Sequence, residues 1–188
     1  MRVVLLGAPG AGKGTQAALA AKRFRIPHIS TGDMMRAASQ SGSEIGKKAK
    51  EFLDSGQLVP DEVMIGVVKA RLSQPDCEPG YLLDGFPRTL AQAEALGVLT
   101  ESLGKPLTHV VEFVVPVDLL TKRLVNRGKT SGRSDDSAEV IANRLEVYEE
   151  LTAPVSKFYA SQGTLLQVDG VGSIEAIQAR AVALLEKS

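Results

Sequence analysis

The stretch GAPGAGKGT at residues 7–15 follows the apolar run VVLL at 3–6 and precedes an alanine-rich stretch with helical spacing. This order of strand, glycine-rich loop and helix puts Lys13 where the loop turns into the helix. Glycines let backbone N–H groups approach an anion, the helix N-terminus adds partial positive charge, and the lysine reaches terminal phosphates. The match to G-x-x-x-x-G-K-[ST] is imperfect, because Gly14 follows the lysine and the hydroxyl comes at Thr15. We predict a phosphate-binding loop; the alternative is a glycine-rich turn without a ligand.

Composition limits the classes of protein to which the chain can belong. Its 188 residues include 22 basic and 22 acidic side chains, which predicts one globular unit without a basic surface for nucleic acid. No apolar run approaches the roughly 20 residues that span a bilayer, and no separate signal region precedes the first strand. The single cysteine, Cys77, excludes an internal disulfide and a cysteine-based zinc site. We expect a cytoplasmic protein with a free thiol and with neither nucleic acid nor membrane as partner.

Short apolar runs alternate with stretches of helical spacing. The predicted strands lie at 3–6, 27–30, 81–83, 110–115 and 165–168, and the predicted helices at about 15–25, 61–73, 89–103, 117–127, 137–150 and 173–186. Asp136 and Glu139 resemble a capping box at the start of the helix at 137–150. Apolar strands that alternate with helices indicate an α/β fold with a parallel sheet covered on both faces. Ligands of such sheets bind beyond the carboxyl ends of the strands.

Two stretches do not fit this alternation. Residues 30–59 are small, polar and helical in pattern, whereas residues 127–137 are rich in glycine and charge and have no apolar face. Either could be an ordinary surface loop. For 127–137 we favour a mobile flap that carries arginines, in which Gly128 and Gly132 absorb the change in backbone conformation.

An aspartate at the end of a predicted strand is a candidate for the shell of a magnesium ion. Asp84 takes the position, opposite a phosphate loop, that such aspartates hold in phosphate-loop enzymes. Gly85 and Pro87 predict a tight turn that directs Arg88 over the same edge of the sheet. Alternatively, Asp84 caps the helix that starts near Thr89, although Thr89 itself fits that role better.

Six arginines accompany the phosphate loop: Arg36, Arg88, Arg123, Arg127, Arg133 and Arg144. Arg123 and Arg127 are four residues apart and share a helix face. Forked guanidinium groups suit phosphate oxygens, and phosphoryl transfer between two nucleotides concentrates negative charge in one place. Singly, each arginine fits a solvated surface; together with the loop, the set predicts a phosphoryl-transfer site.

The chain resembles an adenylate kinase of the short-lid type, within the nucleoside monophosphate kinase family, over nearly its whole length. The motifs that carry the resemblance are GAPGAGKGT at 7–15, STGDMMR at 30–36, GQLVPD at 56–61, DGFPRTLAQA at 84–93, SGRSDD at 131–136 and NRLEVY at 143–148. The resemblance implies a doubly wound, five-stranded parallel sheet of the P-loop NTPase type with two small mobile insertions. Residues 1–29, 60–126 and 138–188 would form the core, 30–59 the NMP-binding insertion and 127–137 the lid.

The implied activity is reversible transfer of the terminal phosphoryl group of ATP to AMP, giving two ADP, by a monomer that uses Mg²⁺. For ATP the resemblance implies contacts from Gly10, Ala11, Gly12, Lys13, Gly14, Thr15, Arg127 and Gly172. For AMP it implies Thr31, Arg36, Gln57, Leu58, Val59, Gly85, Phe86, Pro87, Arg88, Gln92, Arg133 and Arg144. Catalysis would rest on Lys13, Arg88, Arg123, Arg127, Arg133 and Arg144, with Asp84 holding Mg²⁺ through water. The AMP phosphate oxygen is already anionic, so no general base is implied.

Three further expectations concern metals and substrates. The lid contains no cysteine or histidine, so we expect no zinc site, and His28 and His109 lack ligand spacing. A UMP/CMP kinase shares the loop, the DGFPR motif and the short lid, but Thr31-Gly32-Asp33 and the context of Gln92 favour AMP. The remaining alternative is a regulatory module that holds ATP without turnover, against which Lys13 and the arginine set argue.

Overall fold

The computed structural model describes residues 1–41, 44–131 and 134–187. Its centre is a parallel sheet formed by β1 (Arg2–Leu6), β2 (His28–Ser30), β3 (Tyr81–Asp84), β4 (His109–Val114) and β5 (Leu165–Asp169). The five strands lie in the order β2-β3-β1-β4-β5. Val4 of β1 pairs with Leu83 on one side and with Val110 on the other. The prediction of an α/β fold with a five-stranded parallel sheet is confirmed.

Helices surround this sheet. In the described residues they are α1 (Lys13–Phe24), α2 (Thr31–Gln40), α3 (Glu44–Ser55), α4 (Asp61–Leu72), α5 (Leu90–Ser102), α6 (Val117–Ser131), α7 (Ala138–Val147), α8 (Ala153–Ser161) and α9 (Ile174–Leu185). A π-helix, Tyr148–Thr152, joins α7 to α8. No helix in this part of the chain is long and apolar enough to cross a membrane.

The hydrophobic core has two layers because successive strand side chains point to opposite faces of the sheet. On one face, Val4 and Leu6 belong to a buried cluster that includes side chains of α4, α5 and α8. On the other face, Val3 and Leu5 belong to a cluster that includes side chains of α1, α6 and α9. Burial on both faces explains why the strands are almost continuously apolar.

Two helix ends and one whole helix differ from the prediction. Helix α6 continues to Ser131, four residues beyond the predicted end at 127 and into the segment predicted to be a flap. The predicted helix at 137–150 gives way after Val147 to the π-helix, and α8 was not predicted at all. Contacts in the tertiary structure, rather than the local pattern alone, decide where these elements begin and end.

The region where α6 approaches α7 corrects the expected helix cap. The start of α7 is capped by Ser137, whose hydroxyl accepts a hydrogen bond from the Val140 N–H, so the predicted capping box of Asp136 and Glu139 is wrong. Gly128 lies inside α6, where a Cβ atom would come within 2.7 Å of the Asp136 carbonyl oxygen. Close approach of two backbones therefore requires this glycine. Gly132 lies outside the described residues.

The sheet puts the phosphate loop at a position that favours ligand binding. Strand β1 lies between β3 and β4, so the chain crosses from one side of β1 to the other after β3. At such a switch point the connections diverge and leave a crevice at the carboxyl ends of the strands. The loop at 7–15 leaves β1 at this crevice and continues into α1.

Candidate active site

A cleft of about 790 Å³ opens at the carboxyl ends of the strands. The predicted site residues that line it are Gly10, Ala11, Gly12, Lys13, Gly14, Thr15, Arg36, Gln57, Leu58, Asp84, Gly85, Pro87, Arg88, Arg123, Arg127, Arg144 and Gly172. Segments far apart in sequence thus meet in one cavity. They include the phosphate loop, α2, the turn after β3, α6, α7 and the turn after β5.

Some predicted residues do not line this cleft. Val59 and Phe86 are buried in the hydrophobic core. Thr31 is buried, and its hydroxyl donates to the Asp84 carbonyl oxygen at 3.3 Å. Gln92 is also buried, and its side chain bonds to protein groups. Arg133 lies outside the described residues.

Lys13 folds back onto the phosphate loop. Its ammonium group donates to the Gly7 carbonyl oxygen at 2.6 Å and to the Ala8 carbonyl oxygen at 3.0 Å. Burial lowers the lysine pKa to about 8, against the opposing charge of Asp84, and the nearby arginines lower it further. The ammonium group is therefore poorly solvated and hydrogen-bonded to neutral carbonyls, a state that an anionic ligand would improve.

Asp84 ends β3 directly across from the phosphate loop. A Cβ atom added at Gly14 would lie 3.5 Å from the Asp84 Oδ2. Burial alone would raise the pKa of this carboxyl group, but the neighbouring His28 ring and the charges of Lys13 and Arg88 lower it overall. An ionised carboxylate facing a phosphate loop fits a shell position for Mg²⁺.

His28 is a cleft residue that the sequence analysis missed. Its Nε2 lies 3.5 Å from the Asp84 Oδ2. The parallel pairing of β2 with β3, which aligns Ser30 with Asp84, brings the two strand ends together. A lone histidine in a short strand does not indicate which strand will lie beside it.

Two adjacent aspartates hold Arg127 and Arg144. The Asp136 carboxylate accepts two hydrogen bonds from Arg127, both at 2.7 Å, and one from Arg144 at 3.1 Å. Asp135 accepts from the same Arg144 nitrogen at 2.8 Å and lies 3.7 Å from Arg36. The Asp136 side chain is completely buried. The pairing raises the pKa of Arg127, mainly through the hydrogen bonds that Arg127 donates to Asp136.

Sequence reasoning gave neither aspartate a role in the site. Asp136 was predicted to cap a helix, and Asp135 appeared only as part of the SGRSDD motif. Two adjacent acidic residues inside an arginine-rich segment are the pattern that could have indicated buried ion pairs.

Arg123 links the phosphate loop to the turn after β5. Its guanidinium donates to the Gly170 carbonyl oxygen at 2.9 Å and to the Ala11 carbonyl oxygen at 3.4 Å. Because carbonyl oxygens are neutral acceptors, these bonds add no counter-charge to the guanidinium beside the phosphate loop.

Arg88 is held on three sides. Its Nε donates to the Gly85 carbonyl oxygen at 2.7 Å, its backbone N–H donates to the Gln92 Oε1 at 2.8 Å, and its carbonyl oxygen accepts from the Thr152 hydroxyl at 2.9 Å. Gly85 has a φ of +84°, and a Cβ atom there would come within 2.7 Å of the Thr31 hydroxyl, so the turn requires glycine. Thr89 caps α5, as predicted.

The arrangement concentrates positive charge in one partly buried cavity. Its cations come from Lys13 and five arginines in the described residues. Its acidic lining residues are Asp33, Asp84 and Asp135, and the buried Asp136 pairs with two of the arginines. Neutralising and orienting a polyphosphate is the chemistry that such a site supports best. No group of three or more His, Cys, Asp or Glu residues suited to a metal ion occurs in the described part of the chain.

Replacing Asp136 with asparagine should destabilise the free protein by about 3 kcal/mol, because it leaves two partly buried arginines without their shared counter-charge. The Asp33→Asn variant is the control, since Asp33 pairs with Arg36 but is 58% exposed. That change should cost less than about 1 kcal/mol. Urea unfolding without nucleotide measures both, and equal losses would contradict this account of Asp136.

The sequence was compared with those of known proteins. The family model described as adenylate kinase matches residues 5–164. An adenylate kinase from Stenotrophomonas maltophilia (strain K279a) is 49% identical over 186 residues, covering 99% of this chain and all of the relative. One from Xanthomonas campestris pv. campestris (strain B100) is 51% identical over 180 residues, covering 96% of each chain.

A third relative differs in length. The adenylate kinase of Archaeoglobus fulgidus is 44% identical over 214 aligned positions, covering all of this chain and 99% of the relative. Since the alignment is longer than the 188 residues here, that relative carries additional residues. Each of these three relatives covers at least 96% of this chain. The chain therefore belongs to the adenylate kinase family.

Proposed function

We propose that this cleft catalyses reversible transfer of the terminal phosphoryl group of ATP to AMP, giving two molecules of ADP. The observation that carries the proposal is the meeting of Lys13 with arginines from α2, α6, α7 and the turn after β3 around one cavity. Phosphoryl transfer between two nucleotides requires such concentrated positive charge. Family membership and the names of the relatives favour AMP as the acceptor over UMP or CMP, and turnover over simple retention of ATP.

ATP would bind at the phosphate loop. Gly10 to Thr15 form the loop and the start of α1, where backbone N–H groups and the helix dipole attract anions. Arg127 would contact the phosphates after releasing part of its pairing with Asp136. Gly172, which lines the same cleft in the turn between β5 and α9, would contact the adenine.

AMP would bind on the side of α2 and the turn after β3. Arg36 and Arg88 supply the charge for its phosphate, and the backbone of Gln57, Leu58 and Val59 would form the slot for its purine base. Gln92 and Thr31 would read the base. Because Gln92 is buried behind Arg88, we propose that the base meets its amide only when the cleft closes over AMP.

Mg²⁺ would enter with ATP and be held by Asp84 through water. When bound, the ion neutralises charge on the phosphate oxygens and orients them. The buried, ionised carboxylate across from the phosphate loop supports this proposal. Few protein ligands are needed, because Mg²⁺ keeps several waters and takes oxygens from the substrate.

The protein's own contribution is positioning and electrostatic stabilisation. Lys13 would move from the loop carbonyls to the transferred phosphoryl group, while Arg88, Arg123, Arg127, Arg133 and Arg144 would share its charge. An AMP phosphate oxygen is already anionic and can attack without a general base. Such preorganised charge typically contributes several kcal/mol to stabilisation of a transition state.

Purified protein supplied with Mg²⁺ and ATP should convert AMP to ADP and use CMP, UMP and GMP poorly. In a coupled assay, Lys13→Met should lower turnover by at least two orders of magnitude, since removing one preorganised donor typically costs that much. Its melting temperature should change little, because the lysine serves phosphate rather than the core. Turnover within tenfold of wild type would contradict the role of Lys13, and equal use of CMP would favour a UMP/CMP kinase.

ATP affinity should fall as the pH rises above about 8. The pKa of Lys13 is about 8 in the free protein, and bound phosphate raises it by stabilising the charged form. Below pH 8, Lys13 is protonated both in the free protein and in the ATP complex, so the affinity is constant. Above pH 8, Lys13 keeps its proton only in the complex. Calorimetric titration from pH 7 to 10 tests this, with Lys13→Met as a control whose weaker binding should not show this decline. A flat wild-type profile would contradict it.

We also propose that 30–59 and 127–137 act as an NMP-binding insertion and a lid around the core at 1–29, 60–126 and 138–188. Closure would exclude water, so that the terminal phosphoryl group of ATP is transferred to AMP rather than to water. The contact of Asp135 with both Arg144 and Arg36, which lies in the first of these segments, supports a connection between them.

A bisubstrate inhibitor with two adenosines joined by a polyphosphate should slow hydrogen exchange across both segments. Protection should rise there because closure would reduce local opening of these backbone segments. Helix α8 (Ala153–Ser161) is the internal reference, with little change expected. Unchanged exchange in both segments at saturation would mean that they are ordinary surface structure.

We propose that this enzyme is cytoplasmic and monomeric and that it contains no structural zinc. The buried single cysteine, Cys77, supports a reducing compartment. Zinc analysis of purified protein would test the last point.

A further inference from the structure

The Gln92 amide is fixed by two groups of opposite hydrogen-bonding character. Its Nε2 donates to the Asp61 Oδ1 at 2.7 Å, and its Oε1 accepts from the backbone N–H of Arg88 at 2.8 Å. The residue is 2% exposed, so water does not compete freely for these positions. A glutamine amide has two donor hydrogens and two acceptor lone pairs. These bonds use one of each and leave one of each.

Asp61 is itself held in place. It is the first residue of α4, immediately after the segment 56–60 that follows α3. Its second oxygen, Oδ2, accepts from the Thr89 hydroxyl at 2.9 Å. Thr89 is the cap of α5 and also accepts from the Gln92 N–H. Both carboxylate oxygens therefore contact the first turn of α5.

This geometry permits only one orientation of the amide. An ionised carboxylate can only accept hydrogen bonds, and a backbone N–H can only donate. Turning the Gln92 amide over would place its oxygen against the Asp61 carboxylate and its NH₂ group against the Arg88 N–H. Both contacts would be repulsive, and both buried groups would lose their partners.

We propose that Asp61 is a positioning residue for specificity: it fixes the Gln92 amide so that the site accepts a 6-amino purine and rejects a 6-oxo purine. This inference rests on the proposed function, in which Gln92 reads the AMP base. The 6-amino group of adenine donates and its N1 accepts, which matches the remaining lone pair and N–H of the amide. A 6-oxo purine reverses both, and only a turned amide could bind it.

The test compares AMP with inosine monophosphate (IMP), which differs at the 6-position and at the N1 proton. Asp61→Asn keeps the size of the side chain, but asparagine can donate as well as accept. One of the two contacts that oppose the turned amide is thereby removed. The ratio of kcat/KM for AMP to that for IMP should fall roughly tenfold, while the KM for ATP stays unchanged.

Two controls separate positioning from other effects. Glu62→Gln removes the same charge from an exposed neighbour in the first turn of α4 and should leave the ratio at the wild-type value. In a Gln92→Leu background, adding Asp61→Asn should produce no further change in the ratio, since the effect passes through Gln92. In wild type, the side-chain N–H protons of Gln92 should exchange slowly with solvent in NMR spectra.

Each outcome bears on the proposal. A tenfold fall that disappears in the Gln92→Leu background supports it. An unchanged ratio in Asp61→Asn, with AMP and IMP affected equally, overturns it and leaves Asp61 a structural link between α4 and α5. Rapid exchange of the Gln92 amide protons would overturn it without any variant. If Gln92→Leu alone leaves the ratio unchanged, base reading by Gln92 fails as well, and absence of AMP turnover in wild type would instead refute the proposed function.

Discussion

Cations gathered in a cavity repel one another, and the protein must balance them before any ligand arrives. In water this repulsion is weak, but partial burial strengthens it. The structure meets this constraint with carboxylates placed among the cations. The fully buried Asp136 serves Arg127 and Arg144 together, Asp135 adds to the second of these, and Asp84 opposes Lys13. Carboxylates therefore balance part of the positive charge in the unliganded site.

This balance also prepares the site for exchange with phosphate. Lys13 rests on two backbone carbonyls and Arg123 on two others, which are neutral acceptors that a phosphate oxygen can outcompete. Arg127 holds its carboxylate through two parallel bonds, a geometry that phosphate oxygens reproduce. Ligand binding then replaces existing contacts, so few charges have to be newly desolvated or reoriented.

The parallel sheet brings these charged groups together from distant parts of the chain. All five strands end at the same edge, so the phosphate loop after β1, Asp84 at the end of β3 and the turn after β5 meet there. Behind that edge, polar side chains support the residues that line the cleft. The links from Asp61 to Gln92 and on to the backbone of Arg88, together with Thr152 from the π-helix, hold one arginine from three different elements.

Local patterns in the sequence were enough for the strands, most helices, the phosphate loop and the turn after Asp84, because periodicity and glycine placement act over a few residues. Most of the site residues that the motifs singled out line the cleft. Only the tertiary structure decided the partners: Asp136 as a buried counter-ion instead of a helix cap, His28 beside Asp84, and the Gln92 amide held between Asp61 and Arg88. Each of these contacts joins segments that strand pairing and helix packing bring together. A pattern of a few neighbouring residues does not predict such long-range contacts.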